Sequence, residues 1–440
     1  MKSKNIFLSG ILVFLIPIVS AQSKWSLDSC IRYAVENNYT IKQNLLTLQT
    51  KKIELAASKM GIAPNIYASL GQNFDFGRAP GADGIIENKS QASSSLGVSL
   101  NLPVFEGLKN YNQIKASELD LQASLYELEH IKENIEINIT AYYLQVLLNK
   151  EIVEVMKEQA QLSGSQIERI EELVNSGKSP DSELYTAKAT YAGDLYNVTE
   201  AENNLRLAIL DLRQLLNLSP QESFDIENIE DKDFENLLGR QIELTPIVQS
   251  ALHYRPVIKS VQNRIAMSQR NIKIAQSGWY PSLSFSASYG TGYYYVFQNR
   301  DLNLPFDRQF RDYSRGILAV SLNIPIFDRL STYHNVQRNK VNMKSYEVQL
   351  EETTANLVKE IEQAYTNAVA SKEKYLSADT YLEASRIAFE YEELKYNAGA
   401  STVFEYNDAK TKYEKAQSDL IQAKYSFLIR QKILDFYGKQ

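Results

Sequence analysis

The side chains that could bind a metal or attack a substrate are few and far apart in this 440-residue sequence. Cys30 is the only cysteine, and the three histidines are His130, His253 and His334. Metal sites need several Cys, His or carboxylate ligands at short spacing, and this set does not provide them. The chain also has no glycine-rich phosphate loop, nucleophile elbow or HExxH helix. We therefore expect no metal, no cofactor and no enzymatic activity.

Two short segments combine a glycine, a serine two residues later and carboxylates further on. They are Gly177, Ser179 and Glu183 in the first segment, and Gly399, Ser401, Glu405 and Asp408 in the second. Glycine tolerates positive φ and commonly ends a helix, and carboxylates are stabilised in the first turn of the next helix. Each segment is therefore predicted to be the tip of a helical hairpin.

Long helices are expected on both sides of these tips, because the residues that interrupt helices are nearly absent there. No proline lies between Pro103 and Pro180, and none follows Pro325. Gly399 is the only glycine from Ile317 to Tyr437, whereas the first copy has one extra glycine, Gly164, inside its long helix.

Apolar residues in these segments recur about every 3.5 residues, which is the seam of a coiled coil. The seam residues are Leu121, Leu125, Leu128, Ile135, Ile139, Tyr142, Val146 and Val153 in the first half, and Met343, Leu350, Leu357, Ile361, Ala364, Ala368 and Tyr375 in the second. This spacing predicts helices packed side by side.

The two halves of the sequence share similar segments at nearly constant offsets, which is typical of an internal duplication. Residues 98–105 (VSLNLPVF) recur as residues 320–327 (VSLNIPIF), at an offset of 222 positions. The same offset relates the two tips, while an offset of 217 relates Pro64 to Pro281. Each copy is predicted to contain a short helix, a strand, a loop, a strand, a long helix, a tip and a short helix.

This repeat divides the chain into residues 1–21 as a signal peptide, 22–219 as the first structural repeat, 220–244 as an equatorial linker segment and 245–440 as the second repeat. The membrane strands are predicted at 65–77, 93–105, 282–297 and 315–327, and the tips near 177 and 399. In the first repeat, short helices are predicted at 27–60 and 181–218, and the long helix at 108–176.

Side chains alternate between apolar and polar along the four strands. In the second strand Leu96, Val98 and Leu100 point to one side, whereas Gly97 and Ser99 point to the other. An apolar outer face alternating with a polar inner face is typical of a membrane barrel. Four strands cannot close a barrel, since the smallest membrane barrels have about eight. Several copies must therefore associate, and strand counting alone allows two, three or four.

The N-terminal residues predict export. Lys2 and Lys4 precede an apolar run at 6–19, and Ala21 ends a small-x-small cleavage pattern. The formal charge of -6 becomes about -8 without these lysines, which disfavours a nucleic-acid partner because phosphate binding needs clustered cations. Cys30 loosely matches a lipoprotein site, but it lies downstream of the apolar run, so lipidation is not expected.

The two tips (173–187 and 394–409) and the two Leu-Asn-x-Pro-x-Phe strand ends resemble those of TolC-like outer-membrane efflux proteins. The resemblance covers about residues 25–437. It implies a mixed α and β fold, in which a long coiled-coil α-helical barrel continues into a membrane β-barrel. With four strands per chain and an internal duplication, it implies a homotrimer with a 12-stranded barrel.

The resemblance also implies a periplasmic gate. The family's acidic constriction corresponds here to Glu405 and Asp408, helped by Tyr396, and Glu183 is the first-copy counterpart of Glu405. A ring of carboxylates in a threefold channel favours cations through its field. Ordinary first-turn carboxylates would give the same sequence pattern, so both interpretations stay open.

The family's docking surface corresponds to Gly177, Ser179, Gly399 and Ser401. These residues would contact a periplasmic adaptor, although the glycines also fit as helix C-caps. Ser401 stands where the family's best-known member has an arginine.

The expected function is the outer-membrane exit duct of a tripartite efflux or secretion system in a Gram-negative bacterium, with a periplasmic helical portion. Its partners would be outer-membrane lipid, a periplasmic adaptor (membrane fusion) protein and an inner-membrane pump of the proton-driven or ABC type. The alternative is a periplasmic coiled-coil scaffold or adaptor protein without a barrel. The residues do not distinguish small-molecule cargo from protein cargo.

Overall fold

The computed structural model describes residues 24–80, 85–88, 90–219, 224–228, 231–240, 243–298 and 303–438. The predicted signal peptide, residues 1–21, lies outside this part of the chain. The chain divides into two compact units. The tip unit consists of Met1–Ala34, Ile139–Gly239 and Ser385–Tyr425, and the sheet unit of Val35–Asn138, Arg240–Ala384 and Ser426–Gln440.

The sheet unit contains the strands β1 (Asn65–Asp75), β2 (Arg78–Pro80), β3 (Ile86–Asn88), β4 (Gln91–Glu106), β5 (Ser282–Val296) and β6 (Arg315–Asn323). Four of them form one antiparallel sheet in the order β1-β4-β5-β6. Strands β2 and β3 form a separate ribbon in the connection between β1 and β4. The prediction of a four-stranded sheet in a mostly helical chain is confirmed, and the small ribbon is an addition to it.

The register of the sheet places apolar residues opposite apolar residues. Leu70 of β1 lies opposite Leu96 of β4, and Phe285 of β5 lies opposite Val320 of β6. In a single chain this apolar face is open, since Leu70 is 80% and Val320 70% exposed. A continuous exposed apolar face marks a surface that contacts another molecule or a membrane.

The last predicted strand is shorter than expected. It was predicted at 315–327, but β6 ends at Asn323. The physical reason is Pro325, which has no N–H to donate to a neighbouring strand. Its counterpart Pro103 stays inside β4, where the register shifts between Pro103 and Phe105.

The helices are α1 (Leu27–Asn37), α2 (Tyr39–Met60), α3 (Lys109–Asn175), α4 (Asp181–Leu216), α5 (Asp231–Leu238), α6 (Leu244–Tyr254), α7 (Pro256–Gln276), α8 (Phe306–Asp312), α9 (Ser331–Asn397) and α10 (Val403–Gly438). A short 3-10 turn at Ser277–Trp279 follows α7. Among the described residues, no helix combines the length and apolar character needed to cross a bilayer.

The single short helix predicted at 27–60 is wrong, because Asn38 divides it into α1 and α2. Asn38 is extended, with φ -62° and ψ 131°, and its side chain accepts hydrogen bonds from the N–H groups of Thr40 and Ile41. This is the geometry of a helix N-cap. In the second half, Arg255 has the same φ of -62° and ψ of 131° and separates α6 from α7.

The two halves also match in their long elements. Helices α3 and α9 each have 67 residues, and α4 and α10 each have 36. Gly177 and Gly399 have positive φ angles of 71° and 72°. Leu108 and Leu330, just before the long helices, have φ of 63° and 61°.

Most residues of the predicted coiled-coil seam are buried, including Ile139 at 0% and Ile361 at 0% exposure. The assignment of Tyr142 to the seam is wrong, since Tyr142 is 41% exposed and the neighbouring Tyr143 is buried instead. The hydroxyl of Tyr143 lies 2.7 Å from the carbonyl oxygen of Glu227 and 3.0 Å from that of Trp25. A buried tyrosine hydroxyl needs a polar partner, and these two carbonyl groups provide it for Tyr143.

The described part of the linker packs on the helices of the tip unit. Trp25 and Ile226 form a parallel backbone bridge, and the side chain of Ile226 is 1% exposed. Lys150 of α3 forms an ion pair with Asp225. These contacts hold residues 224–228 against α3.

Candidate functional site: the two hairpin tips

Both long helices end in the same hydrogen-bonded turn. In the first tip the N–H groups of Gly177 and Lys178 donate to the carbonyls of Val174 and Leu173, both at 2.9 Å. In the second tip, Gly399 donates to Tyr396 at 3.0 Å, and Ala400 donates to Lys395 at 2.9 Å. This pair of bonds with a left-handed glycine is a Schellman motif. The C-cap role predicted for both glycines is present in the geometry.

The helix after the second tip begins with a reciprocal pair of hydrogen bonds. The N–H of Thr402 donates to the carboxylate of Glu405 at 2.9 Å, and the N–H of Glu405 donates to Thr402 Oγ1 at 3.2 Å. This arrangement is a capping box. The hydroxyl of Ser401 also donates to Glu405, at 3.2 Å, and to Glu392 of α9.

These donors favour the charged form of both carboxylates. The Thr402 N–H, followed by the Thr402 and Ser401 hydroxyls, lowers the pKa of Glu405. Ser401, followed by Lys395, lowers the pKa of Glu392. Glu405 is therefore charged at neutral pH, but its carboxylate is engaged in its own helix start.

The first tip has a simpler arrangement. Pro180 occupies the N-cap position of α4 without a side-chain hydrogen bond, because proline carries no polar side-chain group. Ser179 Oγ donates to Glu183 at 2.6 Å, and the N–H of Glu183 donates to the carbonyl of Pro180 at 3.0 Å. The serine-to-glutamate bond is therefore shared by both tips, whereas the capping box belongs to the second.

Tyr396 lies among groups from both hairpins. Its ring stacks on that of Tyr406, with centroids 4.9 Å apart, and its hydroxyl is hydrogen-bonded with Gln166 of α3. Burial, followed by the nearby negative charge of Glu183, raises the pKa of Tyr396. The structure thus brings together Tyr396 and Glu183, two of the four predicted gate residues.

Asp408 has a different environment. It forms an exposed ion pair with Lys412 one helical turn later, with Nζ to Oδ2 at 2.6 Å. Exposed pairs of this kind contribute about 0.3–0.5 kcal/mol, so the pair leaves Asp408 available to other ions.

A buried charged cluster that was not predicted from the sequence lies next to this region. Lys410 of α10 is 6% exposed, Asp194 of α4 is 9% exposed and Ser163 of α3 is 3% exposed. The Lys410 ammonium donates to the Ser163 hydroxyl, which donates to the Asp194 carboxylate. The ammonium also lies 3.2 Å from Glu414. The spacing of Lys410 and Glu414 on one helix was visible in the sequence, but the partners on α3 and α4 were not.

Within the described residues, no group of three His, Cys, Asp or Glu side chains is arranged to hold a metal ion. Cys30 is fully buried in α1, and burial raises the pKa of its thiol to about 12. His130 is hydrogen-bonded to Asn134 on the same helix.

Comparison with known proteins gives consistent matches in sequence and fold. The model of the family described as outer membrane efflux protein matches residues 31–218 and 247–437. The chain is 24% identical over 392 residues to outer membrane protein TolC of Escherichia coli, covering 83% of this chain and 73% of that protein. It is 22% identical over 340 residues to toxin and drug export protein A of Aggregatibacter actinomycetemcomitans, covering 76% and 70%.

The fold is similar to that of solved outer-membrane channels. The CmeC outer membrane channel of Campylobacter jejuni superposes with a TM-score of 0.78 at 18% identity, covering 94% of this chain and 85% of that one.

Proposed function

This chain belongs to the outer membrane efflux protein family, and from that premise we propose that it is the outer-membrane exit duct of a tripartite efflux or secretion system. The observation that carries the proposal is the family match over both halves of the chain, together with a four-stranded sheet that has one open apolar face. The protein is located in the outer membrane, and its helical portion lies in the periplasm. The alternative, a periplasmic scaffold or adaptor without a barrel, is not favoured, because it does not account for the exposed apolar face of this sheet.

The barrel is proposed to form from three chains, with 12 strands in total. The edges β1 and β6 have neighbours on one side only within the chain. An open sheet edge is not tolerated in a bilayer, because its N–H and C=O groups have no water to bind. Pairing of β6 with β1 of the next chain removes every edge, and cyclic association is the usual outcome for identical subunits.

The internal duplication is part of the same proposal. It is supported by the equal lengths of α3 and α9 and by the left-handed glycines at both tips. It is also supported by the shared backbone angles of Asn38 and Arg255. Two repeats per chain in a trimer would give a helical barrel of six similar hairpins.

A periplasmic adaptor and an inner-membrane transporter are proposed as partners that open the duct. The docking residues would be Gly177, Ser179, Gly399 and Ser401. A Cβ added at either glycine would meet no atom within 4 Å, so both tips are open to a partner. Phe404, beside the second tip, is 80% exposed. An exposed aromatic side chain of this kind is typical of binding surfaces.

The gate is proposed to combine Glu183, Tyr396, Glu405 and Asp408. Three copies of Asp408 would form the ring that attracts cations, because its exposed pair with Lys412 is weak. Glu405 would act mainly by fixing the start of α10 through its bonds to Thr402.

The experiment that tests the function uses the mature protein expressed in a Gram-negative host. Outer-membrane fractionation, heat-modifiable migration on a gel and planar-bilayer recording should give a membrane trimer that conducts ions. A water-soluble monomer without channel activity would contradict the duct. Deleting the gene in its native host and measuring both drug susceptibility and secreted protein then distinguishes the two kinds of cargo.

A further inference from the structure

The buried cluster of Lys410, Ser163, Asp194 and Glu414, here called the lysine cluster, joins three helices of the tip unit. Lys410 and Glu414 come from α10, Ser163 from α3 and Asp194 from α4. Its ionic contacts are Nζ of Lys410 to Asp194 at 3.8 Å and to Glu414 at 3.2 Å. Burying an ammonium group is costly unless anions and hydrogen-bond acceptors surround it, and this cluster supplies both.

Gly164 lies next to Ser163, where α3 contacts α4. A Cβ on Gly164 would lie 3.4 Å from the ring of Tyr191 on α4, which is an ordinary van der Waals distance. Beside this contact, the short Ser163 side chain bridges from Lys410 to Asp194.

The corresponding position of the first repeat has no such cluster. Lys188 is the counterpart of Lys410 at the 222-residue offset, and it is exposed. The counterparts of Asp194 and Glu414 are Ala416 and Ala192, which carry no charge. The lysine cluster therefore distinguishes the second hairpin from the first, although the helices that carry them have equal lengths.

The cluster also lies next to the proposed gate. A cavity of 20 Å³ is lined by Ser163, Lys410, Gln166 and Tyr406, and the last two contact Tyr396. This volume holds about one water molecule. A displacement of α10 that opens the gate would have to move Lys410 relative to Ser163 and Asp194.

We propose that Lys410 is a positioning residue of the gate, and that its buried bonds to Ser163 and Asp194 hold α10 against α3 and α4 while the duct is closed. This inference rests on the proposed function, because it gives a role in closure to a group that does not line the conduit. The cost of separating a buried lysine from its partners favours the closed arrangement, and partner docking at the tips supplies the opposing free energy.

The test is planar-bilayer recording of the full-length protein with Lys410→Met, and Lys188→Met as the matched control. Lys410→Met should raise the open probability in the absence of partners by at least about tenfold, since one partner of a buried ion pair is removed. Lys188→Met should behave as the wild type. A Lys410→Met channel that stays as closed as the wild type would overturn this role of Lys410. If the wild-type protein forms no channel at all, the proposed function fails instead.

A second pair of variants separates closure from folding. Lys410→Met with Asp194→Asn and Glu414→Gln removes all three charges of the cluster, so no buried charge is left without its partner. This triple variant should regain the thermal stability of the wild-type trimer but stay leaky. Recovery of normal closure together with stability would mean that the cluster only supports the fold. Ser163→Ala should also raise the open probability. Ser385, the buried counterpart of Ser163 in α9, provides the control variant Ser385→Ala.

Discussion

The carboxylate of Glu405 accepts a hydrogen bond from the backbone N–H of Thr402, and Thr402 Oγ1 accepts one from the N–H of Glu405. These two bonds satisfy groups that every helix start leaves open. A carboxylate held in this way is less free to coordinate a passing ion than one with a solvated partner. The proposed cation preference of the gate should therefore depend mainly on Asp408.

Asp408→Asn should weaken the cation preference of the channel and its block by multivalent cations in planar-bilayer recordings. The reason is that three neutral side chains replace three negative charges in the proposed ring. Lys412→Gln should act in the opposite direction, because it removes the cation 2.6 Å from Asp408. Asp211→Asn, at an exposed position of α4, is the control for surface charge. Unchanged ion selectivity in Asp408→Asn would contradict the proposed ring of carboxylates.

Gly399→Trp should abolish export while membrane trimers still form. Gly399 has a φ of 72°, where a side chain costs about 1–2 kcal/mol. A Cβ there would meet no atom within 4 Å, so a large loss of export with intact trimers would report a lost partner contact. Export in a deletion strain and heat-modifiable migration on a gel measure the two properties.

Gly193→Ala is the control for this substitution. Gly193 lies inside α4 with open space around it, so alanine should stabilise that helix by about 1 kcal/mol and leave export normal. Normal export by Gly399→Trp would mean that the second tip is not a docking surface.

Arg255→Met should destabilise the sheet unit by about 3–5 kcal/mol, because it removes one partner of a buried ion pair. Arg255 lies 3.1 Å from Glu133, donates to the carbonyl of Phe436 at 2.6 Å and covers that ring at 4.2 Å. Arg255→Lys should not restore stability, since lysine lacks the planar fork. Thermal unfolding followed by circular dichroism measures the change.

The control for Arg255 is Arg264→Gln, which breaks a partly exposed pair with Glu127 at 3.0 Å. Such pairs contribute at most about 1 kcal/mol. Equal destabilisation by the two substitutions would show that the burial of Arg255 has no special importance.

Features encoded within a few neighbouring residues were predictable from the sequence. The alternation in the strands and the glycines of the tips each depend on one local requirement, a two-sided sheet or a positive φ. The break at Asn38 also has a local signal, since asparagine is a preferred N-cap, but the apolar periodicity on both sides of it concealed the break.

Features that depend on distant residues were not predictable. The hydroxyl of the buried Tyr143 bonds to the carbonyl groups of Trp25 and Glu227, which lie 118 and 84 positions away in the sequence. In the lysine cluster, Lys410 donates to Ser163, which lies 247 positions away in the sequence. Neither contact leaves a periodic pattern in the chain. The gate and docking roles of individual residues stay predictions, because they depend on contacts with other molecules.

The pH dependence of closure provides a test of the lysine cluster through Glu414. Burial, opposed by Lys410, raises the pKa of this carboxyl above its ordinary value of 4.5. The titratable groups that face Glu414 are Lys410 and Tyr406 on its own helix and Asp194 on α4. From α3, Gln159 donates to the backbone carbonyl of Glu414 at 3.4 Å and does not titrate.

Opening that exposes Glu414 to water would return its pKa towards the ordinary value, so the closed state binds the proton more tightly. Because the pKa of Glu414 is raised in the closed state, the closed state loses stability as the pH rises through the window between 4.5 and the raised value. Lowering the pH through that window should therefore reduce the open probability in bilayer recordings. Glu414→Gln, which mimics the protonated form, should lose this dependence, whereas Glu158→Gln, at an exposed position of α3, should keep it. An open probability that stays constant or rises as the pH falls would contradict this role of Glu414.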